Sequence, residues 1–182
     1  REHGSALKDA VGDAVRGSGE LPQALVPVRD YTIAAMMDLI RADLAQVGIV
    51  QDVFSSENKM VQSGGIEACL TKLEDKGLIY TGVLEPPKGM KSDDWEPLPQ
   101  TLFRSTDFGD DLDRPLKKSD GSWTYFAPDI AYHNSKVERG FDLMINVFGA
   151  DHAGYVKRLK ASVAALSDGK ADFDILLTQL VN

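Results

Sequence analysis

GSWTYFAPDIAYHNSKVERGFDLMINVFGADHAGY, residues 121–155, reads as strand, helix, strand, glycine turn and helix. Ser122 to Phe126 is aromatic and β-prone. Pro128 cannot sit in a central strand, and its fixed φ suits a first helical turn. A helix is therefore expected from Asp129 to about Val137, with Gly140 as its stop. Leu143 to Phe148 is a near-continuous apolar run, the pattern of a strand buried on both faces. Gly149-Ala150-Asp151-His152 makes a polar turn at its carboxyl end, and Val156, Leu159, Val163 and Leu166 then recur at helical spacing. Open α/β sheets bind ligands in the crevice beyond the carboxyl ends of their strands. Tyr125, Asp129, Asp151 and His152 all fall near such an end.

The 182 residues suffice for one domain or two small ones. An apolar fraction of 43% is ordinary for a globular chain, and a formal charge of -8 supplies no global basic field for nucleic acid. A local patch for RNA remains compatible with that balance. The single cysteine, Cys69, has no intrachain partner and sits in an amphipathic pattern as a small buried hydrophobe. No apolar run has the length of a membrane span, and the polar start is unlike a signal peptide. The chain begins at Arg1 and ends in the apolar run Ile175 to Val181, so it reads as cut from a longer protein.

Working outward, residues 1–27 are poor in large apolar side chains and read as linker or loosely ordered chain, with a short helix at most over Ala6 to Val15. Residues 28–77 read as helical. Asp30 is the expected N-cap of a helix whose stripe is Ile33, Met36, Met37, Ile40, Leu44 and Val47, ended by Gly48. Val50 to Phe54 is a short strand candidate, and Ser63 to Lys76 a second helix presenting Ile66, Cys69, Leu70 and Leu73 before Gly77. Residues 78–126 read as a small antiparallel β region: strands at Leu78 to Leu84, Thr101 to Ser105, Leu116 to Lys118 and Trp123 to Phe126. A prolyl turn follows Glu85, a loop holds Trp95, and a hairpin closes at Asp120-Gly121. Asp107, Asp110, Asp111 and Asp113 miss the EF-hand spacing and read as a solvated acidic turn. Residues 127–182 return to parallel α/β character, ending in a strand at Ala171 to Leu177. The expected core joins the Ile33–Val47 and Ile66–Leu73 stripes, Leu143 to Phe148 and Ile175 to Leu177.

Each chemical candidate has a structural counterpart. Asp129 in a first helical turn is explained by the macrodipole alone. Tyr125 is one aromatic on a strand face. Gly149 at a strand-to-helix turn permits the close backbone approach that nucleotide sites need, while Asp151 can equally cap the helix. His152 is either an inert first-turn residue or a donor to a phosphate or ribose. GxGxxG, GxxxxGK[ST] and GxSxG are absent, and one cysteine with three scattered histidines does not suit zinc.

These residues carry a resemblance. TLFRST at 101–106, FGDD at 108–111, DRPLKKSDG at 113–121, WTYF at 123–126, DIAY at 129–132, GADH at 149–152 and Gly154-Tyr155 resemble the bacterial arginyl-tRNA synthetases. So do GVLEPPKG at 82–89 and DWEP at 94–97. The likeness runs as ordered motifs from about Val28 to Asn182, and the first 25 or so residues match only loosely.

The resemblance implies a class I enzyme that forms arginyl-adenylate from ATP and arginine and transfers arginine to tRNA(Arg). Its Rossmann-type catalytic domain of parallel strands and helices is split by an inserted α+β region with antiparallel strands. ATP is a substrate, Mg2+ is expected in the parent enzyme, and no cofactor is expected in the segment. The family is cytoplasmic and mostly monomeric, with no membrane partner. The phosphate-positioning signatures HIGH and KMSKS are not in the chain; the resemblance puts them before Arg1 and after Asn182. It implies that Tyr125 and Asp129, in a Y-x-x-x-D pattern, contact the substrate arginine. Gly149, Asp151 and His152 would meet ATP or the adenylate, with Asp151 also touching arginine. Other members carry glutamine at the Asp151 position and arginine where this chain has Pro128. Alone, the segment is expected to be inactive. The competing reading is a non-catalytic binding module cut from a related class I synthetase or nucleotidyl transferase.

Overall fold

The computed structural model describes residues 2–17, 21–85 and 97–179. It divides into two compact units, 1–54 and 55–182.

The first unit holds two helices, α1 (Glu2–Gly17) and α2 (Leu21–Gln46), which pack on each other. The expected linker is thus largely helix: α1 extends the Ala6–Val15 pattern at both ends. α2 starts well before Asp30 and runs through Pro27, so Asp30 lies inside the helix rather than at its cap. Gly48 ends the element as expected, at φ 76°. The expected apolar stripe does not form core within this unit. Ile33, Met36, Ile40 and Val47 are exposed, because α1 is the one described element of the unit that packs on α2. Val50 to Phe54 makes no strand; Val50 is exposed, and the Phe54 ring lies under the Arg41 guanidinium.

The second unit opens with a short helix that sequence patterning misses, α3 (Glu57–Gln62), capped by the Ser56 hydroxyl accepting from Lys59 N–H at 3.3 Å. α4 (Gly65–Asp75) buries Ile66, Cys69 and Leu73. Burial pushes the Cys69 thiol up to about 12, consistent with a small core hydrophobe. Gly77, at φ 70°, turns the chain into β1 (Ile79–Gly82).

β1, β2 (Gln100–Phe103) and β3 (Arg114–Lys117) form an antiparallel sheet in the order β1-β2-β3, with a bulge between Thr101 and Leu102. The Asp120-Gly121 hairpin forms, but its return arm is a single bridge between Lys117 and Trp123. The expected Trp123–Phe126 strand is replaced by a turn and helix start. The prolyl turn at 86–89 and the Trp95 loop lie outside the described residues.

α5 (Phe126–Glu138), β4 (Leu143–Gly149), a 3-10 segment (Ala150–Tyr155), α6 (Val156–Ser167) and β5 (Asp172–Thr178) complete the chain. β4 and β5 pair in parallel, Leu143 opposite Asp172 through Gly149 opposite Thr178. The fold is therefore mixed α/β, one parallel and one antiparallel sheet. The core lies among α4, α5, α6 and the antiparallel sheet: Leu73, Phe103, Leu116, Phe126, Ile130 and Leu159 are each at most 3% exposed. β4 is buried on one face only. Met144 and Asn146 point inward, while Leu143, Ile145 and Val147 are exposed, as is Leu176 of β5. An apolar run does not reveal how many layers cover it.

The acidic loop is a set of tethers rather than a solvated turn. Arg114 forks onto Asp110 with two 2.6 Å bonds, and the Asp110 side chain is fully buried. Asp113 accepts from Tyr80 and Thr106, and Asp111 pairs with Lys157 at 2.6 Å, joining the loop to α6. Arg114, with the backbone N–H of Asp111, outweighs burial and holds the Asp110 carboxyl below its ordinary range. Asp110→Asn leaves a buried guanidinium without its charge partner and is expected to cost about 3–5 kcal/mol in chemical unfolding; a loss below about 1 kcal/mol, the value of an exposed pair, would contradict this.

Candidate functional site

Thr124 is held by its hydroxyl on the Pro115 carbonyl at 2.7 Å, and its own carbonyl accepts from Ala127 N–H. Phe126 turns into the core at 2% exposure, so α5 begins at Phe126 rather than at Asp129. Pro128 still falls in the first turn, where no N–H is needed. Tyr125 caps the helix in αR geometry without a side-chain cap bond, and its ring is 73% exposed.

Asp129 faces a cleft of about 190 Å³, lined by Ser55, Glu57, Met60, Pro128, Asp129 and Tyr132. Burial raises the Asp129 carboxyl above its ordinary value, and the Glu57 carboxylate raises it further; Arg158 and His152 oppose. Among the described residues, no hydrogen bond to the Asp129 carboxylate offsets this burial. Two carboxylates thus share one partly dry cleft with a thioether and a phenol ring. Such a set suits a cation carried on an apolar stem.

Tyr125 lines a separate, neighbouring cavity of about 340 Å³ with Lys118, Trp123 and Thr124; Glu57 and Pro128 belong to both. Tyr125 and Asp129 are therefore adjacent, but the tyrosine does not line the Asp129 cleft.

Gly149 ends β4 with ordinary extended backbone, φ -66° and ψ 154°. A Cβ there would lie 2.5 Å from Asp151 Oδ1, the end of an exposed side chain that would have to turn away. Asp151 does not cap the following helix. Its carboxylate stands 3.5 Å from His152 Nε2, both side chains largely exposed. The His152 ring is steadied between Phe148 and Tyr155, with centroids 5.6 Å and 5.7 Å away. His152 is near enough to Asp129 to oppose slightly the rise of its carboxyl, but Asp151 and His152 do not line the 190 Å³ cleft. Arg158 packs its guanidinium on the Tyr155 ring at 4.4 Å.

Sequence reading passes over Glu57 and the residues behind Asp129. Ser55-Ser56-Glu57, a cap pair followed by a first-turn acid, is the signal that marks α3 and its carboxylate. His133 lies one helical turn after Asp129 and is 2% exposed. Its Nδ1 contacts the Asp129 carbonyl and its Nε2 contacts Asn146, each at 2.7 Å. Among the described residues, no three His, Cys, Asp or Glu side chains are grouped to hold a metal ion. The described side chains form no Mg2+ cage of their own; a Mg2+ arriving with a nucleotide would take one or two carboxylates and the phosphates. No helix among them is long and apolar enough to cross a membrane.

Burial lowers the His133 imidazole to about 4, from an ordinary 6.5. The unfolded chain therefore takes up this proton first. The His133 contribution to stability is complete above pH 6.5 and is lost as pH falls through about 4. It amounts to roughly 3 kcal/mol at 1.36 kcal/mol per unit. Urea unfolding followed from pH 7 to 4 should show this loss, and His133→Gln should flatten that window. An unchanged slope in His133→Gln would contradict the assignment.

No family model matches the chain. Curated relatives do. Arginine--tRNA ligase of Ruegeria sp. is 61% identical over 181 residues, 100% of this chain and 31% of that protein. Arginine--tRNA ligase of Ruegeria pomeroyi is 62% identical over 180 residues, 99% of this chain and 31% of the relative. That of Roseobacter denitrificans is 62% identical over 178 residues, 98% of this chain and 30% of the relative. The chain thus spans about a third of the length of these relatives, and the match includes the first residues, which motif reading ties in only loosely. A crystal structure from Campylobacter jejuni, of a protein provisionally assigned as an arginyl-tRNA synthetase, superimposes with a TM-score of 0.69 at 28% identity. It covers 94% of this chain and 35% of that one.

Proposed function

We propose that this chain, which matches about a third of the length of arginine--tRNA ligases at about 60% identity, is a segment of such an enzyme and supplies the arginine-recognising side of its site. The observation that carries the reading is the 190 Å³ cleft that Asp129 and Glu57 line together with Met60 and Tyr132. Burial and the neighbouring Glu57 carboxylate make Asp129 costly to keep charged, and a guanidinium entering the cleft relieves that cost. Its planar N–H groups match a carboxylate edge, and Met60 with the Tyr132 ring gives the methylene stem an apolar wall.

The Gly149–His152 turn is the proposed ATP and adenylate side. The lack of a Cβ at Gly149 leaves room for Asp151, and His152 is held by two rings within electrostatic reach of Asp129. Tyr125, on the rim next door, walls the approach to the cleft. In this division, Asp129 and Glu57 hold the amino acid, and the turn orients the nucleotide toward it. Activation of arginine with ATP, transfer to tRNA(Arg) and work in the cytoplasm are proposals for the whole protein.

The test uses a full-length arginine--tRNA ligase carrying this segment. A hydrogen bond to a charged group contributes about 1.5–3 kcal/mol, and breaking a buried charge pair costs about 3–5 kcal/mol. Asp129→Asn should therefore raise the arginine KM by about two orders of magnitude, with the ATP KM nearly unchanged. Glu57→Gln should raise the arginine KM in the same direction. Pyrophosphate exchange measures both. An arginine KM near wild type in Asp129→Asn would reduce Asp129 to a helix-start anion.

A further inference from the structure

Behind Asp129 runs a line of hydrogen bonds that can be ordered only one way. Lys136 Nζ, which has donors alone, approaches an Asn146 amide oxygen at 2.9 Å. Asn146 Nδ2 must then be the group facing His133 Nε2 at 2.7 Å, so Nε2 accepts. A neutral imidazole that accepts at Nε2 carries its proton on Nδ1, and Nδ1 meets the Asp129 carbonyl oxygen at 2.7 Å. Each donor finds an acceptor, and the line ends on the backbone of the residue proposed to hold the guanidinium.

The setting is a built one. His133 is 2% and Asn146 7% exposed, so neither amide nor imidazole can exchange its partner for water. The imidazole ring is flanked edge-on by Phe173 at 5.2 Å and Tyr132 at 5.6 Å, and Tyr132 itself lines the Asp129 cleft. Lys136 lies over the same Tyr132 ring at 4.4 Å. Meanwhile the start of α5 has no side-chain cap bond of its own. Its first turn is gripped from behind, through His133, to the middle of β4.

We infer that Lys136, Asn146 and His133 form a positioning relay: they hold the Asp129 backbone against β4 and thereby aim its carboxylate into the cleft. This rests on the reading of Asp129 as the guanidinium ligand. None of the three touches the cleft's contents through the relay; each acts through Asp129. A side chain needed only for bulk could be aromatic or aliphatic here, whereas a relay needs an acceptor toward Asn146 and a donor toward the carbonyl. Glutamine supplies both; phenylalanine supplies neither. Misplacing a binding group by about 1 Å can cost about 100-fold.

The experiment compares His133→Phe, His133→Gln and Lys136→Met in a full-length arginine--tRNA ligase carrying this segment, with Asp129→Asn alongside. His133→Phe is expected to raise the arginine KM about tenfold or more while the ATP KM moves less than about twofold, and His133→Gln to recover most of the loss. Lys136→Met frees the Asn146 amide to turn and is expected to raise the arginine KM about threefold. If His133→Phe lowers only the melting temperature and leaves the arginine KM unchanged while Asp129→Asn raises it, the relay is overturned and the cleft assignment stands. If Asp129→Asn itself leaves the arginine KM unchanged, the cleft assignment fails first. Should His133→Phe not fold, Lys136→Met decides, and an unchanged arginine KM there overturns the relay.

Discussion

The hydrogen bond from Asn146 to His133 joins the parallel sheet to the helix that carries the site. One end stands in the middle of β4, the other two turns into α5, and both are buried. A buried amide and imidazole are costly unless paired, so the two elements have one favourable register against each other. With α5 set against β4, Phe126 and Ile130 fall into the core against α4 and α6, and Asp129 emerges on the opposite side beside Glu57 of α3. The electrostatics of the cleft follow from that placement: burial raises Asp129, Glu57 raises it further, and Arg158 and His152, which oppose the rise, do not cancel it.

Much of this was legible in residues 121–155, and the failures share a cause. Local signals marked the helix, the strand, the glycine turn and the second helix, because turn chemistry and periodicity are short-range. They misplaced the start of α5, since Trp123 to Phe126 is β-prone by composition while Thr124 and Phe126 are committed by tertiary contacts to Pro115 and the core. β-propensity largely records packing that a sequence does not show. The same limit applies to burial. Leu143, Ile145 and Val147 read as interior, yet one side of the β4–β5 pair is left uncovered by the described residues. Ile33, Met36 and Ile40 of α2 are exposed for the same reason within their own unit.

At the candidate site, the chain positions of single residues were legible and their partnerships were not. Asp129, Gly149 and His152 stand at places where helix starts and strand ends present groups to a ligand, a matter of position along the chain. Glu57 joins Asp129 from 72 residues away, through the docking of α3 on α5. His133 is close to Asp129 in sequence but acts with Asn146 and Lys136, a pairing set by the strand that follows. The acidic loop shows the converse. Four aspartates read as a solvated turn, and the fold uses Asp110, Asp111 and Asp113 as anchors for Arg114, Lys157 and Tyr80.

The central claim is that Asp129 is kept charged in a partly dry cleft and that a guanidinium relieves it. A carboxyl-carbon NMR titration of Asp129, in a full-length ligase carrying this segment, addresses it directly. Without arginine, Asp129 should titrate above an ordinary aspartate, because burial and Glu57 both oppose its charge. With saturating arginine its pKa should fall, because the bound cation favours the carboxylate. A titration that arginine leaves unmoved would contradict the account.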